Sequence, residues 1–171
     1  MVFLFRDRSD INLLFLILLS VGLHFHNWMI PPMVIANASD GFLPYLLVNY
    51  ITPLPPLALI ILFQVIILSQ AIRLNILMSK LKMYQQVSYL PGFTYIILTA
   101  LFPYWDVISS GLVANSLVLW ILVKLLRLYD QNQPKSLEFN IGLLLGCSIL
   151  LYSPIAILIP VVLFALTIIR P

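Results

Sequence analysis

Of the 171 residues, 62% are hydrophobic and 9% charged, with a mean hydropathy of +1.07. That is too apolar for a soluble domain and leaves no room for a separate aqueous one. The net charge of +3 does not describe a nucleic-acid surface, because the nine Lys and Arg residues stand at the ends of apolar runs rather than along one face. A single cysteine, Cys147, sits inside an apolar run, which excludes an internal disulfide and a cysteine-based metal cluster.

The composition and spacing predict one integral membrane domain over residues 1–171. Its expected fold is an all-α, polytopic helical bundle of about six spans, with a surface helix in the first outer loop. Ser9 or Asp10 can cap a first helix over residues 11 to 28 or 30. Arg6 and Arg8 precede this run and Ala36-Asn37-Ala38 has a small-x-small pattern. However, Asp7 and Asp10 interrupt the basic stretch and the small residues lie far beyond the apolar one, so the segment is read as a retained anchor rather than a cleaved signal. Trp28 and Ile30-Pro31-Pro32 mark an interface and an exit. The apolar, aromatic residues 42–47 then suit a short helix at the membrane surface.

A second helix is expected over 53–78, followed by a short third over 89–102, stopped by Pro103, and a fourth over 107–129. The loop 130–138 is polar. Residues 139–169 are divided by Tyr152-Ser153-Pro154, because one unbroken helix would measure about 46 Å against a hydrocarbon core of about 30 Å. They are read as two short tilted spans or a partly crossing hairpin. Gly142 and Gly146 give the first of these a GxxxG packing face.

With six segments, Arg6, Arg8, Arg73, Lys80, Lys82, Lys124, Arg127, Lys135 and Arg170 all fall on one side, and the opposite loops carry only Asp40 and Asp106. The positive-inside rule makes the basic side, with both termini, cytoplasmic. The cations are expected to meet lipid headgroups.

Ionisable groups on the outer side are therefore the candidate functional residues: His24, His26, Asp40 and Asp106, with Tyr104 and Trp105 beside the last. No HExxH, Gly-rich phosphate loop or nucleophile elbow occurs. His24 and His26 point to different faces of a helix, so they read as interfacial residues before they read as metal ligands. Asp40 suits either a cap for the surface helix or a general base, and Asp106 suits an N-cap for the fourth helix.

The Leu/Arg-rich end of the fourth helix, a polar loop and then Asn140-Ile141-Gly142-Leu143-Leu144-Leu145-Gly146-Cys147-Ser148-Ile149-Leu150-Leu151-Tyr152-Ser153-Pro154 resemble the GT-C superfamily of membrane glycosyltransferases. In that superfamily a hairpin of two short helices often follows helix four, and acids occupy the first outer loop and the loop between helices three and four, as Asp40 and Asp106 do here. The chain departs from the pattern at Gly41, where a second acid is common, and at Leu151, where a basic residue is common. It corresponds to the N-terminal helices alone, since such enzymes usually continue further. The Arg-Asp-Arg-Ser-x-Ile-Asn start also resembles an uncharacterised family of bacterial inner-membrane proteins.

The resemblance implies sugar transfer from a polyprenyl-phosphate donor on the outer face of a bacterial inner membrane. Asp40 would then be the catalytic base, while Asp106, Tyr104, Trp105, His24 and His26 would bind substrate. No metal is implied and the cofactor is open. The partners would be membrane lipid and a polyprenyl-phosphate-linked sugar. Two competing readings are a non-catalytic subunit docking onto other membrane proteins and a small transporter, the latter suggested by the proline-broken final hairpin.

Overall fold

The computed structural model describes residues 10–36, 40, 43–81, 88–102, 105–128 and 134–169. Arg6, Arg8, Ser9, Gly41, Lys82, Tyr104 and Arg170, all singled out by the sequence, lie outside this set. The described residues are overwhelmingly helical. The helices are α1 (Asp10–Leu23), α2 (His26–Met29), α3 (Leu43–Ile51), α4 (Pro56–Lys80), α5 (Leu90–Leu101), α6 (Ser110–Leu128), α7 (Pro134–Leu151) and α8 (Leu158–Ile169). A 3-10 helix (Ser153–Ile157) joins the last two. Two short strands, β1 (Val34–Ile35) and β2 (Ile108–Ser109), form the one small sheet among the described residues.

The all-α expectation holds, but six full spans do not follow. Among the described residues only α4 and α6 are long and apolar enough to cross a membrane. With 25 and 19 residues they measure about 37 and 28 Å. The first segment is shorter than its hydropathy predicts, because α1 ends at Leu23 and a turn at His24-Phe25 separates it from α2. Its 14 residues reach only about 21 Å. Here the Phe25 N–H reaches back only to the Gly22 carbonyl and the Asn27 N–H only to the His24 carbonyl, so the i to i−4 ladder breaks. The fourth helix starts at Ser110 rather than 107, because Ile108 is extended and its N–H donates to the Met33 carbonyl at 2.9 Å. The penultimate helix starts five residues early, with Pro134 in its first turn, and absorbs much of the expected polar loop.

The chain divides into two compact units, residues Met1–Ile35 with Tyr50–Ile108, and residues Ala36–Asn49 with Ser109–Pro171. The first holds α1, α2, α4 and α5. Leu16, Ile60, Phe63, Ile67, Ala71 and Ile96 form its buried core. Residue 20 meets 64 while Leu13 lies by Ile72 and Ile76, and contacts pair 75 with 92 and 70 with 95, so α1 and α5 both run antiparallel to α4. In the second unit α6 packs on α7, and Ile121, Leu125, Ile141, Leu145 and Val162 make the core.

Helix α4 is apolar on both sides: Leu59, Ile60, Phe63, Ile67, Ala71 and Leu77 are buried, yet three polar side chains are buried with them and large apolar ones face outward. Gln64, Gln70 and Asn75 are buried, whereas Leu57, Ile61 and Val65 are exposed. Water would drive the opposite arrangement, so the solvent that this surface suits is hydrocarbon.

Candidate functional site

The polar side chains of the first unit gather where α1 meets the N-terminal half of α4. Ser20 is completely buried and its Oγ donates to Gln64 Oε1 at 2.8 Å. One helical turn on, His24 is only 2% exposed and its ring lies edge-on to Phe63, with centroids 5.4 Å apart. His24 Nδ1 lies 2.9 Å from the Ser20 carbonyl oxygen. A carbonyl can only accept, so Nδ1 carries the hydrogen and Nε2 is the ring's open position. Both His24 Nε2 and Gln64 Nε2 are buried with no hydrogen-bond partner.

Asn27 extends this cluster to the acid that the sequence singled out. It is 2% exposed, and its Nδ2 donates to Asp106 Oδ1 at 2.6 Å. Asp106 therefore does not cap the fourth helix as expected. The cap is Ser109, whose Oγ accepts from the Leu112 N–H at 3.2 Å, three residues on. Trp105 is exposed, with its ring against Phe102 at a centroid distance of 4.9 Å. His26 is exposed while His24 is buried, so the two imidazoles serve different surroundings. Among the described residues no three His, Cys, Asp or Glu side chains gather to hold a metal ion.

Asp40 belongs to the second unit and is half-buried. Its Oδ2 accepts a hydrogen bond from Ser110 Oγ at 2.5 Å, at the first residue of α6. This engagement ties Asp40 to the start of α6, while residues 41 and 42, which lead from it into α3, lie outside the described set. An aliphatic alcohol held on a carboxylate oxygen is also the contact that a general base makes with an acceptor hydroxyl.

Sequence reasoning overlooked Ser20, Asn27 and Gln64. The signal was present, since each is a polar side chain within or beside a membrane-length apolar run, where burial without a partner is costly. They were passed over because they carry no charge. Comparison with protein-family models, with curated proteins and with solved structures finds no match.

Proposed function

We propose that the chain is a multi-pass protein of the bacterial inner membrane, with cytoplasmic termini, that transfers a sugar from a polyprenyl-phosphate donor on the outer face. In this reaction an acceptor hydroxyl attacks the anomeric carbon and the bond from that carbon to the phosphate oxygen breaks. Polyprenyl phosphate leaves, and Asp40 takes the hydroxyl proton. The observation that carries the reading is the Ser110 hydroxyl on Asp40 Oδ2, the contact an acceptor alcohol would take over. Separately, in the first unit, the half-buried Asp106 carboxylate, held by Asn27, would accept hydrogen bonds from sugar hydroxyls.

The test is transfer of radiolabelled sugar from the lipid donor in vesicles, normalised to folded protein. Asp40→Asn is expected to lower the rate by about 10²- to 10⁴-fold, the usual worth of a positioned base. Ser110→Ala is expected to leave it within a few-fold. A rate per folded protein that is unchanged in Asp40→Asn, or lowered equally in both variants, would reduce Asp40 to a structural pin.

A non-catalytic membrane subunit is the second reading. It is favoured by the openness of the GxxxG face, since a Cβ added at Gly142 or Gly146 meets nothing within 4 Å. On this reading Gly146→Leu abolishes co-purification with a partner chain while leaving the isolated protein folded. A wild-type protein that is monomeric and alone after mild-detergent extraction rules it out.

A further inference from the structure

Where α1 ends, the chain is inside out. His24 and Asn27 are each 2% exposed, while Phe25, Trp28, Met29 and Ile30 beside them are 51–74% exposed. The two polar side chains are turned inward, His24 against the Phe63 ring and Asn27 onto the Asp106 carboxylate. In water each large apolar side chain left outside would forfeit about 1.5–3 kcal/mol of burial, so an aqueous loop would present the other side. His26 is the single polar side chain exposed among residues 23–30.

The backbone of this break also suits a medium that offers no hydrogen bonds. The N–H groups of His24, Phe25, Asn27, Trp28 and Ile30 all donate to carbonyls three or four residues back, so the turn keeps its polar groups satisfied within itself. Its height in a bilayer follows from the helix before it. The 14 residues of α1 cover about 21 Å of a hydrocarbon core about 30 Å thick. With the charged Asp10 at one boundary, the turn at His24-Phe25 lies about 9 Å short of the other. Leu14 and Leu18 on α1 are exposed as well, so the outward apolar surface continues from the helix into the break.

We infer that residues 24–30 form a wedge seated in one leaflet of the bilayer, with Phe25, Trp28, Met29 and Ile30 among the acyl chains and His26 at the level of the headgroups. The partner of this surface is lipid hydrocarbon, entered to the depth of about 5–10 Å that interfacial segments reach. Asn27 lies on the buried side of the wedge, and it holds the Asp106 carboxylate at the membrane boundary instead of out in the aqueous phase. The inference rests neither on sugar transfer nor on which side of the membrane is cytoplasmic.

The whole chain, with Trp105→Phe and Trp120→Phe leaving Trp28 as the single tryptophan, is placed in phosphatidylcholine vesicles. Lipid brominated on acyl carbons near the headgroup should quench Trp28 emission about twofold or more, and more strongly than lipid brominated at the chain ends. Aqueous iodide should leave most of the emission intact. Strong quenching by iodide without quenching by brominated lipid overturns the inference, because Trp28 is then in water. Quenching by neither overturns it too, because another protein surface then covers the segment. Should the double variant fail to fold, Phe25→Cys in a Cys147→Ala background carries a nitroxide label. Collisions of that label with dissolved oxygen should exceed those with a water-soluble nickel complex several-fold, and the reverse order overturns the inference.

Discussion

Two glycines in the first unit illustrate how differently a single methyl group is received. A Cβ at Gly92 would lie 2.6 Å from Asn75 Nδ2 and 3.0 Å from the Ala71 carbonyl oxygen, so α4 and α5 approach this closely only because that side chain is missing. Gly92→Ala is expected to cost about 1–3 kcal/mol as an overpacked contact, and it would displace the amide that accepts from the Gly92 N–H. At Gly22 nothing lies within 4 Å, and Gly22→Ala should be neutral or stabilising by up to about 1 kcal/mol through helix propensity alone. Thermal unfolding in one detergent, with the two variants side by side, measures the contrast. Asn27→Leu should cost about 1–3 kcal/mol in the same assay, because Asp106 would lose the neutral donor that now holds it.

At the scale of elements, hydropathy and proline placement located the helical segments well. Pro55 and Pro56 at the N-cap and first residue of α4, Pro91 in the first turn of α5 and the Tyr152-Ser153-Pro154 break all stand where the chain changes direction or begins a helix. What escaped the sequence were boundaries set by distant partners. The end of α1 is accompanied by Asn27 on Asp106, 79 positions away. The late start of α6 reflects the pairing of Ile108 with Met33. No local window contains either partner. The candidate site was legible only in its ionisable members, since an average over apolar neighbours hides Ser20, Asn27 and Gln64. The helix-to-helix bond between Ser20 and Gln64 makes its own prediction. Coupling measured by a double-mutant cycle of Ser20→Ala and Gln64→Leu should be about 0.6 kcal/mol, the average for such bonds within membranes.

For the molecule as a whole, the cations on the described helices fall in the C-terminal parts of α4 and α6 and at the start of α7, with Arg73 about two turns before the end of α4. Lys80 closes α4, Lys124 and Arg127 occupy the last part of α6, and Lys135 is at the start of α7. With Cys147 replaced by Ala, a Cys at position 80 or 135 should react with impermeant reagent only after the inner side is opened, and one at position 105 should react in intact cells. Reaction of position 80 or 135 in intact cells would reverse or dismantle the threading. The abbreviated α1 and α5, of 14 and 12 residues, have a further effect. Beside the full-length α4 they leave the protein with unequal hydrophobic thickness, so a thick bilayer would have to pinch inward around them at a cost of fractions of a kcal/mol per ångström. Reconstitution across a series of acyl lengths should therefore give the highest melting temperature in short-chain lipid, and the chain would partition toward the thinnest regions of any membrane that holds it.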